Sequence, residues 1–377
     1  MEAPFIFGKI ANEKNFTDRV TETERLIANF TSGVNTILIS PRRWGKSSLV
    51  RHVVDKVRNE SLNIVFIFID LHNIRSEEQF YQVLAQEIFK STASRLDEIF
   101  ENSRKFLGRF IPKLSFSPVP GSEFTLGLDW QEVKQQPDDV LNLAEKIASE
   151  KGIKVIICID EFQNIAEFES PLAFQKQLRA NWQTHQNTSY CLYGSKRHLM
   201  TEVFSSYSMP FYKFGDLMFL DKIGEEDWVR FITQKFRETD KNISLKDARL
   251  ISTLAECHPY YVQQVAQLSW LRSLNNCSTE IVNEAFESLV LQLSLLFQTI
   301  TDGLTNTQIS FLKAIIQNVD KLSSKENLSN FKLGTSANVL RLRQALINKE
   351  VIDIQKNKIE FLDPVYKYWL TKYYFSE

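Results

Sequence analysis

The sequence predicts an α/β protein with a parallel sheet, followed by a helical region and a small C-terminal domain. Residues 1–218 alternate strand-like apolar runs with helical patterns, which is typical of parallel α/β structure. From about residue 222 to residue 300 the apolar side chains keep helical spacing, and residues 303–377 contain three short helical patterns and a hairpin pattern. We therefore predict domains over residues 1–218, 219–302 and 303–377.

Composition and charge narrow the class of protein. The chain has 377 residues, of which 43% are hydrophobic and 24% charged, as is usual for globular proteins. A formal net charge of −1 provides no overall field that would attract nucleic acid. The apolar runs are shorter than a membrane span, and the first residues do not resemble a signal peptide. The widely spaced cysteines are typical of free thiols in a reducing compartment: Cys158, Cys191, Cys257 and Cys277. We expect a soluble, cytoplasmic protein without membrane contact.

The most informative segment is residues 40–48, Ser-Pro-Arg-Arg-Trp-Gly-Lys-Ser-Ser. A short β-branched run at 36–39 precedes it, and a helical pattern follows it, so the order is strand, loop, helix. That order is the one required by a phosphate-binding loop, in which backbone amides and the helix N-terminus surround the phosphates. Lys46 would reach the outer phosphates, and the Ser47 hydroxyl would bind Mg²⁺. The residues predicted to bind nucleotide here are Pro41, Arg42, Arg43, Trp44, Gly45, Lys46, Ser47 and Ser48.

Two positions of this loop, Ser40 and Trp44, are unusual for a phosphate-binding loop. Ser40 stands where the pattern G-x-x-x-x-G-K-[ST] has its first glycine, so the pattern is weakest at the start of the loop. Trp44 is a wide apolar ring, for which we favour packing against the neighbouring helix over stacking on a base.

A second strand pattern carries the acidic half of the predicted site. The apolar run at 155–159 is followed directly by Asp160 and Glu161. A magnesium nucleotide needs a carboxylate near the phosphate loop, and we expect Asp160 to supply it. Glu161, expected on the other side of the strand, is placed to accept a proton from an attacking water. The adjacent acid favours hydrolysis of ATP over binding alone.

Two further segments, a third strand pattern and a hairpin pattern, extend the predicted domain. A strand pattern at 190–193 ends at Gly194-Ser195-Lys196-Arg197, where Ser195 or Lys196 could sense the terminal phosphate and Ser195 is our candidate. Before the acidic strand, period-two alternation predicts a hairpin inserted at about residues 111–129. This hairpin would either cover a sheet edge or act as an arm that binds a partner.

Together these segments resemble the archaeal-type ATPases, a branch of the P-loop ATPases related to the AAA+ and STAND groups. The resemblance extends over nearly the whole chain and includes Phe-Thr-Asp-Arg-Val-Thr-Glu at 16–22, Cys-His-Pro-Tyr-Tyr at 257–261 and Asp-Pro-Val-Tyr at 363–366. It implies a five-stranded parallel sheet flanked by helices, a helical lid and a winged helix. It also implies that Phe16 and Arg19 lie near the adenine and that Pro259 lies against the nucleotide. Val20 replaces the glutamate usual in the first of these motifs.

The C-terminal pattern supports a winged helix. Thr305-x-x-Gln308 and Ser323-x-x-Glu326 read as capping boxes, a third helix begins near residues 335–336, and residues 352–361 form a hairpin pattern. The polar face of the third helix could contact DNA bases through Asn338, Arg341, Gln344 and Asn348. The charge of this domain is only mildly basic, since residues 303–377 contain 11 Lys or Arg against 7 Asp or Glu.

These observations predict a Mg²⁺-dependent ATPase of slow turnover, with ATP or ADP as ligand and an unnamed protein client. Lys46, Glu161 and Ser195 would be the catalytic residues, and Ser47 and Asp160 would hold the metal ion. Two other functions stay open. One is a nucleotide-controlled switch or scaffold, in which the winged helix binds the ATPase core or a protein. The other is a regulatory ATPase that contacts DNA through the winged helix.

Overall fold

The computed structural model describes residues 3–11, 15–60, 63–93, 98, 102, 105–106, 114–115, 125–126, 128–355 and 358–376. The chain forms two compact units. One is Arg19–Asp221, and the other combines Met1–Asp18 with Lys222–Glu377. This division into two units does not test the three predicted domain ranges, which remain a prediction.

The unit Arg19–Asp221 alternates helices and strands in the predicted manner. Its first half contains α1 (Val20–Ser32), β1 (Thr36–Ile39), α2 (Lys46–Glu60), β2 (Ile64–Asp70), α3 (Glu77–Thr92), β3 (Leu114–Ser115) and β4 (Thr125–Leu126). Its second half contains α4 (Trp130–Gln135), α5 (Pro137–Leu141), α6 (Leu143–Lys151), β5 (Lys154–Asp160), α7 (Pro171–Trp182), β6 (Thr188–Gly194), α8 (Arg197–Ser205) and β7 (Asp216–Phe219).

Five of these strands form one sheet in the order β2-β5-β6-β1-β7, and every neighbouring pair is parallel. The predicted five-stranded parallel sheet is therefore confirmed, with β6 between the loop strand and the acidic strand. The register pairs Ile39 of β1 with Gly194 of β6, and Asp70 of β2 with Asp160 of β5. Because the strands are parallel, their carboxyl ends meet at one edge of the sheet, where α/β proteins bind ligands.

Apolar burial explains why these segments take these forms. All four residues of β1 are buried, as expected for an inner strand covered on both faces. The helical pattern predicted after the loop is α2, and its buried apolar face consists of Leu49, Val50, Val53, Val54 and Val57. The predicted inserted hairpin is described only in part. Leu114 pairs with Leu126 and Ser115 with Thr125 in an antiparallel ladder, and most of its other residues lie outside the described part of the chain.

The second unit is mainly helical. It contains α9 (Glu225–Arg237), β8 (Asn242–Ile243), α10 (Leu245–Leu254), α11 (Pro259–Arg272), β9 (Asn276–Cys277), α12 (Thr279–Asp302), α13 (Asn306–Ile316), α14 (Lys325–Asn330), α15 (Ser336–Asn348), β10 (Ile352–Gln355), β11 (Lys358–Phe361) and α16 (Pro364–Trp369). The short parallel pair of β8 with β9 departs from the fully helical prediction for residues 222–300. Each of its strands has only two residues, too few for periodicity to show.

Helices α13 to α15 and the antiparallel pair β10–β11 form the winged helix. The predicted box of Thr305 and Gln308 is present at the start of α13. The predicted box at Ser323 and Glu326 is wrong by one residue, because Ser324 caps α14 by accepting from the Asn327 amide. Spacing alone could not distinguish two adjacent serines.

One apolar cluster runs through the whole second unit. It joins Phe5, the helices α9 to α12 and the winged helix. The ring of Phe297 on α12 lies 5.4 Å from that of Tyr366 and 6.0 Å from that of Trp369. The Tyr261 hydroxyl of α11 donates to Asp363, whose other oxygen accepts from backbone amides at the start of α16. The helical region and the winged helix therefore share one core.

Two remaining expectations concern cysteines and the membrane. All four cysteines are free thiols. Among the helices that the structure describes, none is both long enough and apolar enough to cross a membrane.

Candidate functional site

The loop at residues 40–48 begins with ordinary backbone geometry. Ser40 is fully buried and is not among the described residues with positive φ. Its amide donates to the Gly194 carbonyl (3.3 Å), and its hydroxyl donates to the Pro41 carbonyl (3.1 Å). The left-handed positions are Arg43, with a φ of 64°, and Gly45, with a φ of 90°. Serine therefore fits at the start of the loop without the conformational freedom of glycine.

The loop side chains separate by exposure. Arg42 and Arg43 are exposed, whereas Trp44 is only 3% exposed, in agreement with packing rather than base stacking. The first residue of α2 is Lys46, and the Leu49 amide donates to the Gly45 carbonyl (2.9 Å). The helix thus begins at the loop, where its first amides and positive dipole end favour an anion.

Lys46 contacts both acidic residues at the end of β5. Its Nζ atom is 3.0 Å from Oε1 of Glu161 and 3.4 Å from Oδ1 of Asp160. The Lys46 side chain is only 10% exposed. Because its charge is largely shielded from water, its attraction to both carboxylates is stronger than it would be at the surface. The structure therefore brings together the two predicted halves of the site.

Ser47 and Asp160 form the predicted metal pair. The Ser47 hydroxyl donates to Oδ2 of Asp160 at 2.7 Å. A hydroxyl and a carboxylate are hard oxygen donors suited to Mg²⁺, which commonly takes one or two protein ligands beside phosphates and waters. No cluster of three or more His, Cys, Asp or Glu in the described part of the chain could hold an ion by itself. The residues therefore fit an ion that arrives with a nucleotide.

Glu161 corrects one prediction. It was expected on the opposite side of the strand from Asp160, but both carboxylates contact Lys46. Strand β5 ends at Asp160, and Glu161 takes a left-handed conformation with a φ of 52°. The alternation of side chains along β5 therefore ends at Asp160 and does not determine the side on which Glu161 lies. The Asp160 side chain also accepts from the Glu161 amide (2.8 Å), which supports this turn.

The two oxygens of Glu161 have different partners. Oε1 faces Lys46, whereas Oε2 accepts from the Ser195 hydroxyl (2.7 Å) and from the Gln163 carboxamide. Burial alone would raise the pKa of Glu161, but the Lys46 charge and these hydrogen bonds outweigh it and lower the pKa to about 2. For Asp160 burial prevails, and its pKa is raised despite Lys46 and Ser47. The Lys46 charge therefore favours the ionised form of both carboxylates, and at Glu161 it outweighs burial.

The end of β6 supplies the remaining predicted residues. Ser195 is buried and reaches Glu161 as described, whereas Lys196 pairs with Glu167 at 3.5 Å. The Arg197 guanidinium lies 5.8 Å from the centre of the Phe219 ring. Ser195 is therefore the member of this segment that contacts a proposed catalytic residue.

Sequence reasoning missed two residues beside Glu161. The sequence patterns assign no role to Gln163, and Gly194 only marks the end of a strand pattern, yet the two residues lie against each other. The available signal was a glycine directly before Ser195, at the end of a fully buried strand. Such a glycine often marks a close approach by a neighbouring group.

The residues predicted to lie near the adenine and against the nucleotide are divided between the two compact units. Arg19 is buried with a φ of 69°, and its Nη1 atom pairs with Glu22 at 2.8 Å. Phe16 and Pro259 belong to the other compact unit, where Pro259 is the first residue of α11. The nucleotide contacts of these three residues stay predictions.

The third helix of the winged helix, α15, presents part of its predicted polar face. Arg341 is exposed, and the Gln344 carboxamide donates to Asn348 (2.9 Å). The Asn338 carboxamide instead donates to the Leu333 carbonyl (2.8 Å), so it stabilises its own turn. Of the four predicted base-reading residues, Asn338, Gln344 and Asn348 thus hydrogen-bond within the domain, and Arg341 is exposed.

Comparison with known proteins identifies two regions. A family model described as an ATPase domain predominantly from Archaea matches residues 16–265. A model described as a probable winged helix domain matches residues 295–372. No curated protein matches the chain.

Two solved structures are similar over almost the whole chain. The Walker-type ATPase PABY2304 of Pyrococcus abyssi is 18% identical, with a TM-score of 0.65 over 96% of this chain and 97% of that one. The ORC2 protein of Aeropyrum pernix, solved as ADPNP-ADP complexes, is 12% identical, with a TM-score of 0.57 over 96% and 94%. These similarities confirm the predicted fold, a P-loop ATPase domain followed by a winged helix.

Proposed function

This chain belongs to the family of ATPase domains found predominantly in Archaea, and we propose that it binds Mg-ATP and hydrolyses it slowly. One observation carries the proposal: Lys46 of the phosphate loop contacts both acids at the end of β5. A loop lysine, a metal-binding hydroxyl and two carboxylates are the parts that phosphoryl transfer to water requires.

Binding would use the loop and the start of α2. The loop amides and the helix N-terminus would accept the phosphates, and the Lys46 ammonium would leave the two carboxylates for the outer phosphates. A Mg²⁺ ion held by Ser47 and Asp160 would neutralise phosphate charge. The adenine would lie near Phe16 and Arg19, with Pro259 against the nucleotide, as the family resemblance implies.

Glu161 is proposed to activate water. While Ser195 and Gln163 hold Oε2, the departure of Lys46 would leave Oε1 able to accept a proton from the attacking water. The water oxygen would bond to the terminal phosphorus as the bridging bond to ADP breaks. While Lys46 contacts Glu161 its charge lowers the pKa of this carboxyl group, so the departure of Lys46 would make Glu161 a stronger base.

Two variants test these roles in the full chain. Lys46→Ala should weaken ATP binding, because it removes the loop cation, whereas Glu161→Gln should bind ATP but turn it over about 100-fold more slowly or worse. ATP binding and phosphate release would be measured side by side. Lys56→Ala, on the exposed face of α2, is the matched control and should behave as the unaltered protein. Unchanged turnover in Glu161→Gln would remove the assignment of Glu161 as base.

The same assays separate the enzyme from a nucleotide-controlled switch or scaffold. A switch would retain ADP or ATP through purification and release almost no phosphate. An enzyme releases phosphate repeatedly, with a rate that depends on Glu161.

A second candidate function is DNA contact through the winged helix, favoured by the exposed Arg341 on α15. Arg341→Ala should then weaken DNA retention and reduce its salt dependence. The control is Lys246→Ala, an exposed lysine of α10 outside the winged helix. Retention that both variants leave unchanged would exclude this use of α15.

A further inference from the structure

Gln163 is a buried residue with an unusual set of neighbours. It follows Glu161 in a short 3-10 turn, Phe162–Glu167, and only 1% of its surface is exposed. Its Nε2 atom donates to Oε2 of Glu161, which also accepts from Ser195 at 2.7 Å. Two neutral donors therefore hold the carboxylate oxygen that faces away from Lys46.

The other end of this carboxamide has no such partner. Oε1 of Gln163 is buried and makes no hydrogen bond among the described residues. The orientation is nonetheless required, because the opposite one would place the amide oxygen against the Glu161 carboxylate. A buried oxygen without a hydrogen bond lowers the stability of the fold. Here that loss is the consequence of the orientation in which Nε2 donates to Glu161.

Gly194 provides the space for this arrangement. A Cβ atom at position 194 would lie 2.0 Å from Oε1 of Gln163 and 2.7 Å from Sδ of Met200. The first distance is far below any real contact and involves a side chain with almost no exposed surface. Any larger residue at the end of β6 would displace the Gln163 carboxamide and, with it, a donor to Glu161.

We propose that Gln163 is a positioning residue, which orients Glu161 for its reaction with water, and that Gly194 is the position that makes its approach possible. This inference rests on the proposed hydrolysis. When Lys46 turns to the phosphates, Oε1 of Glu161 loses its partner, and the hydrogen bonds to Oε2 then keep the carboxylate aimed. A carboxylate free to rotate would spend less time in the reactive geometry.

The test compares kcat and KM for ATP in full-length variants. Gln163→Met keeps the side-chain bulk but has no donor, and Gly194→Ala displaces the carboxamide. Each should lower kcat about 10-fold, as expected for the loss of a hydrogen bond to a charged group, with KM changed less than about 2-fold. In the double variant the two effects should not add, because both remove the same contact.

Met200→Ala is the matched control, because Met200 is the other neighbour that a Cβ at position 194 would meet. It should leave kcat within about 2-fold of the unaltered protein. Thermal unfolding of each variant, without nucleotide, shows whether a lowered kcat reflects a lost fold.

The outcomes separate the two proposals. Unchanged kcat in Gln163→Met, or fully additive effects in the double variant, would overturn the role of Gln163 while leaving hydrolysis intact. An equal loss in Met200→Ala would also overturn it, because Gly194 would then act through Met200. An unaltered protein that binds ATP without releasing phosphate would overturn the proposed function itself, and this inference with it.

Discussion

The two compact units of this chain hold their key residues by different means. In the unit Arg19–Asp221, Lys46, Glu161 and Ser195 come from three separated segments and are joined by ion pairs and hydrogen bonds. In the other unit, the helical region and the winged helix are joined mainly by apolar and aromatic side chains around Phe297.

The two kinds of contact allow different structural changes. A polar cluster with a lysine shared between two carboxylates can exchange partners when a polyanion binds, because other charges can replace those contacts. A shared apolar core cannot open at one place without exposing much of itself to water. We therefore expect local rearrangement at the loop, and movement of the helical region and winged helix together.

The largest expected effect is in the apolar unit. Phe297→Ala should lower the free energy of unfolding of that unit by about 3–5 kcal/mol, since it leaves a cavity beside Tyr366 and Trp369. Amide hydrogen exchange should show α9 to α12 and the winged helix losing protection together. Leu295→Ala, on the same helix but 81% exposed, should change stability by less than about 0.5 kcal/mol. Loss of protection confined to the winged helix would contradict a shared core.

A smaller effect is expected from the polar contact inside the same unit. Tyr261→Phe removes the hydroxyl that donates to Asp363 and should cost about 2 kcal/mol, the range for hydrogen bonds to charged groups. Thermal unfolding measures this loss. Tyr374→Phe keeps a ring that contacts Trp369 and Phe375, and it should be nearly neutral. If both changes were neutral, the core alone would join the winged helix to α11.

The smallest effect is a pH dependence in the polar unit. His185 contacts Tyr190 and Asn142, and burial lowers its pKa below the usual 6.5, although Glu145 opposes this shift. The unfolded chain therefore takes up a proton more readily, so the free energy of unfolding should fall as the pH drops below 6.5.

Urea unfolding at several pH values, followed in this unit, measures that slope. His185→Gln should flatten it, whereas the same change at the exposed His72 should leave it as it was. An equal slope in both variants would show that His185 does not carry the pH dependence.

The parts of the site that the sequence predicted are those fixed by sheet topology. Lys46 and Ser195 follow strands of one parallel sheet and Asp160 is the last residue of another, so their meeting follows from strand order. The side on which Glu161 lies was predicted wrongly, because its left-handed backbone ends strand alternation. The contact of Gln163 with Gly194 depends on a 3-10 turn and on missing side-chain volume, neither of which periodicity reveals.

In the second unit, the helical stripes correctly marked buried residues but not their partners. The helical spacing over residues 222–300 predicts buried faces, but the partners of Phe297, Tyr366 and Trp369, lie about 70 residues further along the chain. Local spacing reports that a face is buried. Only the three-dimensional arrangement shows that two predicted domains bury their faces in one cluster.

Ser40 also bears on how such proteins are found in genomes. Its backbone is ordinary and its hydroxyl remains within the loop, so a small L-residue can replace glycine there at little cost. A search rule that insists on glycine at that position would pass over this chain. A rule that gives more weight to the segment from Gly45 to Ser47, together with an acidic pair after a later strand, would retain it, and such rules would widen the set of proteins recognised as nucleotide-dependent.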